Sequence, residues 1–231
     1  TNNVFFNQAA TGSAVHFAAA NTITSSGYSA SSPDVYTNKL YASRRDCIRS
    51  SNLTSWNRKG NASGDPSLEW LPSEDVFAES SFTVEMFVKT STFNAYTHLF
   101  KRRIGGSLSS SNQIWIGGNN KNNQIKWDLK MDTGIKTITD ASGTIKNGSW
   151  HHIAVVYDKD ANKLFYYRDW VKISEIAVSA NNVLTSTTTD PIQIGGNPAN
   201  GDYALFTGFI DEVRITKRAL GVKEFLTPEC A

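Results

Sequence analysis

Residues 81–89 alternate cleanly: Phe82, Val84, Met86 and Val88 fall on one side, and Thr83, Glu85, Phe87 and Lys89 on the other. Successive side chains of an extended chain point to opposite faces, so the pattern predicts a strand with one face in a core and one face wet. Residues 124–130 repeat it, with Ile125, Trp127 and Leu129 set against Lys126, Asp128 and Lys130. Residues 149–158 read differently, being apolar at nearly every position from Ile153 to Tyr157. A run of that kind between turn residues predicts an inner strand covered on both faces. Short strand-like runs follow at 163–168, 190–194 and 206–215 and precede it at 4–6, 14–18, 67–71, 97–103 and 112–116, separated by clusters of Gly, Asn, Asp and Ser. The spacing is that of a β-sandwich. The Gly117-Gly118-Asn119-Asn120 cluster turns one of these strands into the next as a hairpin. Helix is expected only as a turn or two within 218–225.

Between 21 and 65 the pattern lapses into a polar, irregular stretch rich in serine, with Tyr28, Tyr36, Tyr41 and Trp56 as apolar anchors. A structureless loop of this length is unusual, and an ordered insertion over one edge or rim is expected. The 231 residues suit a single sandwich domain spanning 1–231 with that insertion. A formal net charge of +2 argues against a nucleic-acid binder relying on bulk charge. No apolar run is long enough to cross a bilayer, and the start of the chain lacks a basic segment followed by an apolar one. Abundant Ser, Thr, Asn and Gly suggest a secreted or cell-surface protein, with other domains of a larger secreted protein as possible neighbours. The triplets at Asn52, Asn61 and Asn147 match the glycosylation acceptor pattern, which arises readily in such a chain.

An ordered series of motifs carries a family resemblance. It comprises Trp150-His151-His152-Ile153-Ala154-Val155-Val156-Tyr157-Asp158, Tyr167-Arg168-Asp169, Ile194-Gly195-Gly196, Gly208-Phe209-Ile210-Asp211-Glu212-Val213-Arg214-Ile215 and Arg218-Ala219-Leu220. Over roughly residues 80–226 the chain resembles the laminin G-like, concanavalin A-like domains. The resemblance implies an all-β, two-sheet antiparallel jelly-roll sandwich. It is specific for fold and unspecific for function, since the superfamily holds binding modules, lectins, hydrolases and lyases. In such a jelly roll the C-terminal strand lies near the N-terminal region, which makes a Cys47–Cys230 disulfide plausible; two unrelated thiols are the alternative. Its relatives hold a structural calcium near the junction of first and last strands, and Asp211 occupies the matching place. The alternative is that Asp211 caps a turn or pairs with Arg214.

Sugar recognition needs flat aromatic faces and planar polar groups that fork onto hydroxyls. Alternation offers Glu85, Lys89, His98, Trp115, Lys126, Asp128 and Lys130 for a wet sheet face. Trp115 is the sharpest, because Ile114 and Ile116 point the other way and fill the core without it; the competing expectation is that the 21–65 insertion covers it. Trp127 and Trp150 align with apolar stripes and belong in the core. Arg102, within Lys101-Arg102-Arg103, and the Arg44-Arg45 pair are the dense basic spots. They match the sulfates or carboxylates of an anionic polysaccharide, or else simply guard a strand edge.

For catalysis the sequence is thinner. The Glu-x-Asp-x-x-Glu run of jelly-roll hydrolases is missing, as are the Arg-x-Glu and Gln-Ile-His strands of alginate-type lyases. A cross-strand Glu85–Asp128 pair, or His98 as a base, stays open. His151 and His152 are adjacent on a strand and point to opposite faces, which argues against one shared metal. The expectation is a non-catalytic carbohydrate-binding or lectin-like domain for a polysaccharide. A glycan-cleaving enzyme using the groove of that wet, concave sheet face and a protein-binding adhesion domain are the alternatives.

Overall fold

The computed structural model describes residues 75–226 apart from 76, 79, 92, 94–96, 105–111, 119–123, 143, 179–182, 184–189, 196–205 and 207, together with five earlier strands; for those strands and for Asn112, Phe209 and Asp211 it describes the backbone only. Cys47, Cys230, Arg44 and Arg45 lie outside the described residues. In chain order the strands are β1 (Asn3–Phe5), β2 (Val15–Ala18), β3 (Thr22–Ser25), β4 (Trp56–Lys59), β5 (Ser67–Trp70), β6 (Phe82–Lys89), β7 (His98–Arg103) and β8 (Asn112–Gly118). They continue as β9 (Ile125–Met131), β10 (Gly134–Asp140), β11 (Trp150–Asp158), β12 (Lys163–Arg168), β13 (Val171–Ala177), β14 (Ile192–Ile194) and β15 (Gly208–Thr216). Helix is limited to 3-10 turns at Thr144–Lys146 and Val222–Glu224 among the described residues.

The strands form two antiparallel sheets. The first runs β13-β12-β11-β6-β15-β2-β3, with β1 also paired to β15, and the second runs β10-β9-β8-β7-β14-β5-β4. β11 is therefore interior to the first sheet, as its apolar run requires. β3 and β4 fall inside the 21–65 stretch, so at least these parts of it are regular backbone.

The alternating stripes meet between the layers. Phe82, Val84, Met86 and Val88 of β6 and Ile153, Val155 and Tyr157 of β11 share one core with Ile114, Ile116, Ile125, Trp127, Leu129 and Met131 of the second sheet. Edge-to-face rings join the layers at Phe82 and Trp127, 6.5 Å apart. Trp127 is fully buried, whereas Trp150, expected beside it in the core, is only half-buried at the start of β11.

β10 and β13 do not stand out in the hydrophobic alternation of the sequence. Each is the outermost strand of its sheet and carries an exposed apolar residue, Ile135 at 54% and Val171 at 61% exposure. Their period-2 pattern is muted because an edge strand need bury only half a face.

The outer face of the first sheet is closed by the chain's own C-terminal segment. Leu220 and Phe225 pack on Ala154 and Val156, flanked by Phe165, Tyr167 and Trp170. Trp170 reaches this position from a two-residue hairpin turn in which Asp169 (φ 50°) and Trp170 (φ 64°) are both left-handed. That pair of angles matches the type I′ geometry that fits the twist of a hairpin.

Candidate functional site

Strand register decides which polar side chains share a face. On the outer side of the second sheet, Gln193 of β14 sits opposite Lys101, Lys101 opposite Trp115, Trp115 opposite Asp128, and Asp128 opposite Thr137. One ladder thus crosses five strands. A second row runs His98, Gly117, Lys126 and Thr139. Directly opposed residues of antiparallel strands point the same way, so all these side chains leave the core together.

A register shift between His98 and Phe100 makes the His98–Lys101 spacing possible. It turns both Leu99 and Phe100 into the core and leaves His98 and Lys101 outside, the re-aiming that β-bulges provide. Gly117 is required by close approach. A Cβ there would lie 2.0 Å from the Thr97 carbonyl oxygen and 2.8 Å from Trp115 Nε1, so the indole edge carrying Nε1 packs directly against the bare glycine.

The face is not uniformly open. Toward β14 and β7, Gln193, Lys101 and His98 are buried, and Trp115 is 5% exposed. Toward β9 and β10 it opens: the side chains of Lys126 and Asp128 are 26% and 14% exposed, Lys130 is half-buried and Thr137 is exposed. Trp115 therefore lies on the expected face without being an open platform, which corrects the picture of a wet tryptophan. His98 meets its ring edge-on at 5.5 Å. The Lys126 ammonium lies over the ring, 5.1 Å from its centroid.

Polar contacts fix the open half. Asp128 Oδ2 pairs with Lys126 Nζ at 2.7 Å, and the Thr137 hydroxyl donates to Asp128 Oδ1 at 2.5 Å. Burial, reinforced by the charges of Lys101 and Arg103, pushes the His98 pKa well below its ordinary value of 6.5, so the ring is neutral at neutral pH. Trp115 Nε1, His98 Nδ1 and the Thr97 hydroxyl are buried without a hydrogen-bond partner. Buried polar groups are normally paired, so this cluster carries unused hydrogen-bonding capacity.

The remaining sequence candidates lie elsewhere. Glu85 and Lys89 are on β6, on the outer side of the first sheet, across the whole sandwich from Trp115. Glu85 is fully buried beneath the C-terminal segment. Its Oε1 accepts from Arg214 Nε at 2.6 Å, and its Oε2 accepts from Leu226 N at 2.7 Å and lies 2.9 Å from His152 Nε2. Alternation shows which residues share a face of one strand but not which sheet the strand joins, and this is why Glu85 and Lys89 were grouped with the others. The Glu85–Asp128 pair does not exist, since the two carboxylates are on opposite sides of the protein.

Arg102 is also withdrawn as a ligand contact. It is fully buried, donating from Nη1 to Asp75 Oδ1 at 2.8 Å and from Nε to the Asp190 carbonyl at 3.2 Å. Asp75 is further held by Gln113 Nε2 at 2.6 Å and by the backbone of Phe77 and Ala78. The arrangement is a structural peg.

His151 and His152 serve different partners. His151 Nδ1 lies 2.8 Å from Asp169 Oδ2 and its Nε2 lies 3.0 Å from Asn147 Oδ1, whereas His152 stacks on Trp170 at 5.1 Å. Among the described residues no group of three or more His, Cys, Asp or Glu side chains is placed to hold a metal ion. The backbone of Asp211 lies at the β15 bulge, where the register to β6 shifts and Glu212 is left-handed at φ 50°; its side chain is outside the described residues. Thr137, Thr139 and Gln193 were not anticipated. The alternation Ile135, Thr137, Thr139 in β10 was the signal that would have found two of them.

A family model described as the concanavalin A-like lectin/glucanases superfamily, of laminin G type, matches residues 62–224. No curated protein matches the chain in sequence. Among solved structures the fold is similar to the CBM40 of the Ruminococcus gnavus IT-sialidase, with a TM-score of 0.54, 16% identity, and coverage of 74% of this chain and 94% of that one. The same CBM40 bound to alpha2,3 sialyllactose gives 0.53, 16%, 72% and 94%. The botulinum neurotoxin serotype D binding domain gives 0.50 and 11%, covering 78% of this chain and 44% of that one.

Proposed function

We propose that this chain, which belongs to the concanavalin A-like lectin/glucanases superfamily, is a non-catalytic glycan-binding module whose ligand seat is the β9–β10 half of the second sheet's outer face. The observation that carries the proposal is the cross-strand ladder from Gln193 to Thr137, which brings an indole, an ammonium–carboxylate pair and a hydroxyl onto one surface. Those are the groups that engage the C–H face and the hydroxyls of a sugar ring. The fold shared with a CBM40 solved with sialyllactose supports the same reading.

The finer proposal is an anionic polysaccharide. Lys126 and Lys130 put two ammonium groups on the open half of the face, the first of them paired with Asp128. A cleavage role has less support, because the paired carboxyls that glycoside hydrolysis uses are not assembled from Glu85 and Asp128. We further propose a secreted or cell-surface setting. Among the described residues no helix is long and apolar enough to cross a membrane.

Thr137→Val combined with Lys130→Ala tests the seat. Thr137 is exposed and Lys130 half-buried, and neither belongs to the core, so stability is expected to stay within about 0.5 kcal/mol. Affinity for the strongest ligand on an array of neutral and acidic glycans should fall about tenfold, the equivalent of about 1.4 kcal/mol. Unchanged affinity in the double variant rules the seat out. Raising the salt should weaken binding of acidic glycans, and indifference to salt removes the anionic preference.

A structural calcium at Asp211 is a separate proposal that rests on the place of this residue in the closing strand. The expected result is a lower melting temperature in EDTA, restored by added calcium; an unchanged melting curve ends it.

A further inference from the structure

The aromatic face that the proposed seat needs is already occupied, and its occupant is charged. Lys126 arises from β9 one residue pair away from Trp115 and lays its ammonium over the ring at 5.1 Å. It approaches from the β9 side, where the sheet surface is open. Two ties hold it there: the attraction of a cation to the ring face, and the 2.7 Å ion pair to Asp128, itself fixed by the Thr137 hydroxyl. Neither tie is strong at a partly exposed site. The ring beneath packs against Gly117 and the His98 ring. An aromatic floor thus lies under a cover held by two ties, each of the kind that exchanges readily at a partly exposed site.

We propose that Lys126 is a gate on Trp115 and that the gate selects acidic sugars. This inference rests on the glycan-binding reading above. A carboxylate or sulfate on the incoming sugar offers Lys126 a replacement for Asp128, so the ammonium moves from the ring toward the ligand anion and uncovers the indole for the sugar's C–H face. A neutral sugar offers no replacement. It must break the ion pair and the ring contact without compensation, and so it binds more weakly than its own contacts would allow. Specificity then comes from the cost imposed on the wrong ligand as well as from contacts to the right one. Lys126 is a specificity-determining residue in this scheme, and Asp128 positions it.

The gate makes predictions separable from glycan binding. In protein labelled with 5-fluorotryptophan, the Trp115 resonance is identified by its loss in Trp115→Phe, and its shift between H2O and D2O reports exposure. Lys126→Ala without any ligand should increase that solvent shift, as should Asp128→Asn, which loosens the ammonium while leaving it in place. An unchanged shift in both variants overturns the gate whatever the protein binds. The ligand arm uses a matched pair, an oligogalacturonate and its methyl ester, which differ in charge and share the sugar. Wild type should prefer the free acid, and Lys126→Ala should reduce that preference about fivefold to tenfold, partly by strengthening binding of the ester. Weakened binding of both ligands by the same factor would make Lys126 an ordinary contact and overturn the gate. Solvent exposure of Trp115 in Lys126→Ala with no glycan bound by any form would leave the cover in place and refute the glycan-binding function instead.

Discussion

Glu85→Ala is expected to destabilise the fold by about 3–5 kcal/mol in urea unfolding while leaving glycan affinity of the folded protein unchanged. Glu85 is buried in the outer layer of the first sheet and receives Arg214, the Leu226 amide and a contact from His152. Removing the carboxylate leaves Arg214 Nε and the buried Leu226 N–H without their acceptor, while Arg214 Nη2 keeps the Glu224 carbonyl. It also frees the segment that brings Leu220 and Phe225 onto Ala154 and Val156. Further ties of that segment, among them the Thr83 hydroxyl to the Arg218 carbonyl at 2.9 Å, Leu220 N to the Thr83 hydroxyl at 3.0 Å and Trp170 Nε1 to the Leu226 carbonyl at 2.8 Å, limit the damage to a local opening before global unfolding. Glu85→Gln keeps an acceptor oxygen and should lose roughly half as much, since hydrogen bonds to a charged group are worth about twice neutral ones. A full-stability Glu85→Ala protein would mean that the C-terminal segment is not locked by this carboxylate.

Arg102→Ala is expected to cost a similar amount, about 3–5 kcal/mol. The guanidinium is fully buried between Asp75 and the Asp190 carbonyl. Its loss removes the countercharge of a carboxylate that also organises the turn at Phe77 and Ala78. Phe77 stands edge-on to Phe82 and Phe100, 5.0 and 6.0 Å away, so the disturbance passes directly into the core. Arg102→Lys should not rescue, because a point charge cannot serve two acceptors held at the angles of a planar fork. Wild-type stability in Arg102→Ala would return this arginine to the list of surface groups open to a ligand.

Both residues were legible in the sequence as charges on strands and illegible as structural parts. Period-2 alternation places Glu85 opposite to Val84 and Met86, and that much is correct. It does not tell that a segment more than a hundred residues later folds over the outer face, since that depends on long-range packing of Leu220 and Phe225. The outer position of Trp115 was legible from Ile114 and Ile116, and its near-complete burial entered only as the competing expectation of a cover. Burial of a side chain on a sheet's outer face is decided by what lies above it, here in part the Lys126 side chain of the next strand. The fold itself was clear because many strands each contributed a redundant apolar stripe. The seat depends on register between β8, β9 and β10, and no local pattern fixes register across strands.

The most direct measurement is an NMR titration of isotope-labelled protein with the acidic glycan that binds best on the array. Amide shifts should concentrate on Lys126, Asp128, Lys130, Thr137 and Thr139, with the Trp115 indole moving alongside them and the Glu85–Arg214 side silent. Shifts centred instead on β6, β15 or the C-terminal segment, or no shifts at saturating glycan, would contradict a sugar seat on the second sheet.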